Sequence, residues 1–287
     1  DGNANLALAA QNFLLGNFVG TQGTGASISQ TTGVFNSVDV ATANLVTASL
    51  AANQLVVANG VNASNYVLPT SVSSAGSITP KALTVALQGT TTNPLTKVYN
   101  GNETLTLASG NFALSGFVGT QGTGVMLNGV TSGTFNSKHV LQATTVSAGL
   151  TGATLGGLAD GVKASNYSLP TGPVTAAGTI TAKGITVSGL TAKNKVYDST
   201  RTAMLTGTAE VDSLGLIQGD TVNVTGTASG LFADKQVGTN KAVTITGLTL
   251  GGAAPPNHRL TRHAATSANI TQAALTISGI TAANKTY

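Results

Sequence analysis

Apolar and polar residues alternate along this chain in short stretches, and they almost never recur at the spacing of a helix face. Thr221-Val222-Asn223-Val224-Thr225 and Ala242-Val243-Thr244-Ile245-Thr246 keep a period of two, the pattern of half-buried strands. Asn59-Gly60, Asn100-Gly101 and Asn128-Gly129 punctuate the stretches with dipeptides that accept positive φ cheaply and so favour tight turns. Residues 40–57 are the one segment whose pattern admits a short helix. The elements predicted are many short strands, and the fold class is all-β.

The parity of the alternation flips at recurring places. In the segment Ile180 to Val187, apolar residues fall at Ile180 and Ala182, then at Ile185 and Val187. Ile78, Pro80, Leu83 and Val85 show the same flip, as do Ile270, Leu275 and Ile277. Because side chains alternate across a strand, such a flip means either a bulge or a strand that leaves one core for another. The second reading predicts that the last strand of one module runs directly into the first strand of the next. Pro80 suits such a joint, since proline is tolerated at strand starts and edges. No Gly/Ser-rich or proline-rich spacer intervenes.

These flips lie within a repeat of about a hundred residues, a usual domain length. Phe18-Val19-Gly20-Thr21-Gln22-Gly23-Thr24-Gly25 recurs unchanged from Phe117 to Gly124. Asn65-Tyr66 returns as Asn166-Tyr167 and, altered, as Asn257-His258; Lys97-Val98-Tyr99 returns as Lys195-Val196-Tyr197 and Lys285-Thr286-Tyr287. Tyr66, Tyr99, Tyr167, Tyr197 and Tyr287 are thus structural landmarks. The third copy lacks counterparts to Phe112 and Phe117. Self-similarity at a fixed period marks duplication of a whole folding unit. The expected modules are 1–80, lacking its first strand, 81–182, 183–272, and the start of a fourth at 273–287. Each is expected to be a β-sandwich-like unit, immunoglobulin-like or β-grasp-like, joined end to end as a rod. A β-solenoid is the alternative, but it needs a coil period near ~20 residues that the sequence does not show.

Composition narrows the function. Charged residues make up 8% of the 287, against the roughly 25% usual for soluble domains. Glycine, threonine, serine and asparagine take their place. The net charge of +4 is spread without any basic cluster interleaved with aromatics, which argues against nucleic acid. Absence of cysteine excludes disulfides, thiolate metal sites and cysteine catalysis. Leu6 to Val19 resembles the apolar core of a signal peptide, but it aligns with Leu105 to Val118 and so belongs to the repeat. No apolar run is long enough for a membrane span, so no membrane insertion is expected here, and any export signal is expected outside these residues.

Candidate chemistry is sparse. His258-Arg259-Leu260-Thr261-Arg262-His263 is the one concentrated polar cluster, and His258, Arg259, Arg262 and His263 are the candidate contacts for an anionic glycan or a lipopolysaccharide phosphate, with a metal held by His258 and His263 as a further alternative. Against that stands an exposed loop at the place of Asn166-Tyr167. Glu210, Asp212 and Asp220 follow no calcium-loop spacing. Neither a Gly-x-Ser-x-Gly elbow nor a phosphate loop is present. No catalytic residue, cofactor or metal site is expected, and the reading is not an enzyme. Asn62, Asn102, Asn166, Asn223, Asn269 and Asn284 satisfy Asn-x-Ser/Thr, as chance allows in a chain so rich in these residues.

The segments Lys97 to Gly101 and Asn194 to Asp198, with the joint at Ile180 to Val187, resemble the YDG-type repeats, with related MBG-type repeats, of large Gram-negative surface proteins, among them filamentous-haemagglutinin-like adhesins exported by two-partner secretion. Asn100 stands where the motif has aspartate, Ser199 where it has glycine, and His258 where the other copies have tyrosine. The resemblance implies the stalk of a secreted or cell-surface adhesin acting in attachment, aggregation or biofilm, with host or matrix glycans or neighbouring fibres as partners. The alternative is that the modules themselves bind glycan weakly and multivalently. The fragment itself is expected to be monomeric.

Overall fold

Short alternating stretches bounded by Asn, Gly and Ser can bury one face only by pairing, and they do so throughout. The computed structural model describes residues 1–287, apart from the side chains of Pro255 and Arg262. Every regular element among the described residues is a strand or a three-residue 3-10 turn. No described helix is long and apolar enough to cross a membrane. The protein is all-β, built of many small sheets, with no solenoid. Residues 40–57 form no helix. Asp39 to Ala43 makes one turn, then come the strand Leu45–Ser49, the 3-10 turn Ala52–Gln54 and the strand Leu55–Val56. Val46 and Ala48 are buried while Leu45 and Ser49 are exposed, so the sheet's period of two decides this segment.

Contacts divide the chain into two compact units. The first comprises Asp1–Pro94, Thr106–Gly133 and Ser147–Ala176; the second comprises Leu95–Leu105, Thr134–Val146 and Ala177–Tyr287.

In the first unit, Asn5–Ala7, Thr32–Phe35, Leu45–Ser49 and Ser71–Ala75 form a four-stranded sheet in that order. Phe35, Ala43 and Val46 pack with Ala4 and Ile78 on its inner face. The segment Lys81 to Leu87 serves two partners. Lys81–Ala82 pairs parallel with Tyr167–Ser168, and Thr84–Leu87 pairs antiparallel with Phe112–Ser115. Leu83, Val85 and Leu87 are all buried. Its first residues thus pair in one two-stranded sheet and its last residues in another, with a buried apolar row running through both.

In the second unit, Lys195–Val196, Thr266–Thr271, Gly238–Gly252, Val222–Phe232 and Thr202–Ala203 form a five-stranded sheet in that order. The two long strands contain the alternating stretches read from the sequence. Their register shifts between Gly226 and Ser229, where an irregularity re-aims the pleat. Phe232, Val243, Ala268 and Ile270 fill the core beneath.

The parity flip has its physical cause here. Thr179–Thr181 pairs parallel with Thr96–Val98, and Ile180 is buried. Lys183–Ser188 pairs antiparallel with Glu210–Val211 and parallel with His258–His263, burying Ile185 and Val187. Ala182 alone separates the two strands. The backbone thus passes from one sheet to the next without a linker, and its inward side changes in one residue. Full burial of an Ile or Val side chain contributes about 1.5–3 kcal/mol, so three such anchors hold the crossing firmly. Ile185→Ala is expected to lower the stability of this unit by about 2–5 kcal/mol in chemical denaturation. A loss below about 1 kcal/mol would mean that the crossing strand is peripheral.

Candidate functional site

The repeated lysine–tyrosine segment closes a corner. Lys195 Nζ donates to Asp198 Oδ1 at 2.7 Å, to the Thr200 carbonyl at 2.8 Å and to Thr200 Oγ1 at 3.0 Å. Asp198 Oδ1 also accepts from the Thr200 amide at 2.9 Å. The lysine bond and the Thr200 bonds hold the Asp198 carboxyl at about 2, well below its ordinary value. In the second copy Lys97 Nζ reaches the Asn102 carbonyl, Asn102 Oδ1 and the Thr104 carbonyl at 2.7, 2.7 and 2.8 Å. Both corners need a left-handed residue, Gly101 at φ +83° and Ser199 at φ +64°.

Gly101 has a second constraint. A Cβ on it would stand 2.7 Å from Ile217 Cγ2, and a Cβ on Gly2 would stand 2.8 Å from Val118 Cγ1. Gly2 and Gly101 are equivalent positions, as are Val118 and Ile217. In each unit, then, the glycine after the tyrosine position of one copy lets an aliphatic side chain of the next copy close on the backbone.

A second contact is also built twice. Asn166 Oδ1 accepts from the Val40 amide at 2.8 Å and its Nδ2 donates to Asp39 Oδ1 at 2.8 Å. Asn257 Oδ1 accepts from the Val140 amide at 3.0 Å, and its Nδ2 lies 3.0 Å from His139 Nδ1. Each asparagine reaches into the turn of the copy before it and satisfies a backbone donor there.

The residue after each asparagine is held by the glycine-rich segment of its own copy. Tyr66 and Tyr167 donate their hydroxyls to Gln22 Oε1 and Gln121 Oε1 and accept from the Val19 and Val118 amides at 3.3 and 3.2 Å. Phe18 and Phe117 pack against them with ring centroids 4.8 and 4.9 Å apart. In the third copy His258 replaces tyrosine, and Asp220 stands where the others have glutamine. His258 Nε2 lies 2.8 Å from Asp220 Oδ2. The two departures compensate each other. The aromatic contact made by Phe117 in the second copy is met here by Tyr99 of the preceding copy, edge-on to His258 at 5.5 Å. Tyr99 also donates to Asp220 Oδ1 at 3.1 Å. Burial first, then the bond to Asp220 and its charge, raise the Tyr99 hydroxyl above its ordinary 10.0.

These positions correct several expectations. The Tyr99 hydroxyl finds its partner in the next copy, 121 residues along the chain. Residues 258–263 form a strand rather than an exposed loop. His258 is buried, so it offers no surface contact; Arg259 is exposed, and His263 is half-buried. Among the described residues, His258 Nδ1 and His263 Nε2 are buried without a hydrogen-bond partner. The side chain of Arg262 lies outside the described residues. Tyr197 is half-buried against the Phe232 cluster, and Tyr287 is exposed. Asp212 caps a 3-10 turn by accepting from the Leu214 amide at 3.1 Å, and Glu210 lies in a strand. No group of His, Asp and Glu among the described residues is placed to hold a metal. The asparagine clamp and the role of Gln22, Gln121 and Asp220 were missed from sequence. The recurrence of Asn166 at Asn257, and of Gln22 within an octapeptide repeated unchanged, was the available signal.

Among known families, the YDG domain matches this chain twice, over residues 79–176 and 181–268, which together make up well over half of it. Neither a curated protein nor a solved structure matches.

Two outcomes follow from the corner and its tyrosine. Because the folded Tyr99 hydroxyl ionises above 10.0, its contribution is complete below that pH and is lost as pH rises through the folded value. Tyr99→Phe should cost about 1–2 kcal/mol at neutral pH and flatten the alkaline decline in melting temperature. An unchanged alkaline slope would contradict this. Ser199→Gly should raise stability by about 0.5–1 kcal/mol, the left-handed strain relieved less the added entropy of glycine. A drop in denaturation midpoint would show that the serine side chain is needed.

Proposed function

The chain belongs to the YDG domain family, and from that premise we propose that it is a structural repeat segment of a secreted or surface-anchored bacterial adhesin, a stalk that projects or links adhesive regions. The observation that carries this reading is the duplicated joint. The Gly2–Val118 and Gly101–Ile217 contacts, and the Asn166 and Asn257 clamps, are the same devices used twice. A protein that only needed two folded domains would have no use for repeating the chemistry between them. A stalk does, because transmitting position or force along an array depends on every joint being fixed alike. The short crossing at Ala182 serves the same end, since a joint of one residue cannot reorient as a flexible linker would.

A surface of hydroxyl and amide groups with few charges fits a spacer that must not adhere along its length. In this reading the adhesive chemistry lies elsewhere in the parent protein, and attachment, aggregation or biofilm formation depends on the segment through reach rather than through a pocket.

The test pairs a shape measurement with a binding measurement. Small-angle scattering of the chain should give an extended particle, and a six-residue Gly/Ser spacer placed after Thr181 should broaden its distance distribution. A glycan array should show no binding. Scattering unaltered by the spacer would contradict the stalk. Array binding that disappears in Arg259→Ala would instead favour modules that bind glycan themselves, weakly and multivalently.

A further inference from the structure

The third copy is entered and left by strands whose pairing ties its two ends together. The entering strand, Lys183–Ser188, runs parallel to His258–His263, which lies near the end of the copy. The leaving strand, Thr266–Thr271, pairs through Ile270 and Thr271 in parallel with Lys195–Val196, which lies near its start. The second copy contains both pairings again: Lys81–Ala82 is parallel to Tyr167–Ser168, and Thr179–Thr181 to Thr96–Val98. A parallel ladder is slightly the less stable per residue, so resting stability does not favour its use at both places.

The bonds at the leaving end are the same in both copies. The Tyr99 amide donates to the Thr181 carbonyl at 2.8 Å, and the Tyr197 amide donates to the Thr271 carbonyl at 2.9 Å. Thr181 Oγ1 and Thr271 Oγ1 donate to the carbonyls of Lys97 and Lys195, each at 3.3 Å. At the entering end of the third copy, the Ala264 amide donates to the Val187 carbonyl at 2.7 Å, and Thr261 Oγ1 donates to the Ile185 carbonyl at 3.0 Å. Ile185 and Val187 are buried along this strand. The Lys195 ammonium, bonded to the Thr200 carbonyl, pins the holding strand just before Thr202–Ala203, which belongs to the same five-stranded sheet.

We propose that these parallel pairs are mechanical clamps, so that tension along the chain loads a repeat in shear rather than by peeling. The proposal rests on the stalk reading, since a stalk under attachment is the setting in which the chain is stretched. Tension reaches Lys183 through Ala182, at the start of one strand, and leaves from the far end of its partner at His263 toward Thr266–Thr271. The two strands are drawn past each other, and the ladder bonds must fail together as Ile185 and Val187 leave the core. At the other end Thr271 is pulled from the end of its strand, while Lys195–Val196 is held from its start. Antiparallel pairing at either place would bring both loads to the same end of the ladder, where bonds fail one after another. Resistance to force follows the unfolding barrier rather than the resting stability, so the direction of pull decides it. Because Thr179–Thr181 and Lys183–Ser188 are separated by Ala182 alone, the load passes from one clamp to the next without slack.

The absence of cysteine lets pulling handles be placed by choice. Thr181→Cys/Gln272→Cys and Thr181→Cys/Arg259→Cys put them at exposed positions of the same fold. The first pair loads the third copy as tension along the chain does. The second draws apart the neighbouring starts of Lys183–Ser188 and His258–His263. In single-molecule pulling at one fixed load, the first should outlive the second about tenfold or more, the factor for even one further ladder bond broken in the limiting step. Equal lifetimes, or a longer lifetime for the second pair, would overturn the proposal. Neither result would alter the extended shape that scattering measures, so the clamp and the stalk fail separately.

Discussion

One constraint organises the second unit: the strand assembly of its third repeat is completed by a segment that continues, without a linker, from the last strand of the repeat before it. Residues 179–188 show the arrangement in full, with a strand on each side of Ala182 and hydrogen-bonded partners in two sheets. A strand so placed cannot slip by one residue, because a slip would turn Ile185 and Val187 outward and leave polar side chains in the core. The connection and the register are thus set by the same few apolar residues.

The contacts that surround the crossing follow from it. Once the backbone is committed to the next sheet, the glycine-rich segment of that copy is brought against the corner of the preceding one. There Gly101 admits Ile217, and Tyr99 finds Asp220 and His258. Asn257 secures the turn at Val140 from the other side. None of these contacts is large. Their repetition at Gly2, Val118, Val40 and Asn166 shows that they come as a set. The third copy also shows how the set drifts: tyrosine became histidine at 258, and glutamine became aspartate at 220, keeping a donor facing an acceptor.

Much of this was legible in the sequence, for identifiable reasons. Period-two alternation at 221–225 and 242–246 gave the long strands, since strand periodicity survives in any sheet with one wet face. The parity flip at Ile180 to Val187 gave the crossing. Residues 40–57 misled because Ala, Val and Leu spaced at mixed intervals satisfy a helical pattern as well as a sheet edge, and only pairing with Thr32–Phe35 and Ser71–Ala75 decides between them. The cluster from His258 to His263 misled for another reason. Charge and polarity read as exposure, yet a strand sends alternate residues inward, and Asp220 gives the inward His258 its partner. The tie between Tyr99 and Asp220 spans 121 residues and has no local signature.

Backbone hydrogen–deuterium exchange tests the central claim most directly, because the strands beside a crossing segment owe their ladder bonds to it. Slow exchange is expected across Phe112–Ser115 and Glu210–Asp212, which lie against Thr84–Leu87 and Lys183–Ser188, and Ile185→Ala is expected to speed exchange at Glu210–Asp212 while leaving Phe112–Ser115 slow. Fast exchange at both places in the unaltered chain, or protection of Glu210–Asp212 unchanged by Ile185→Ala, would contradict it.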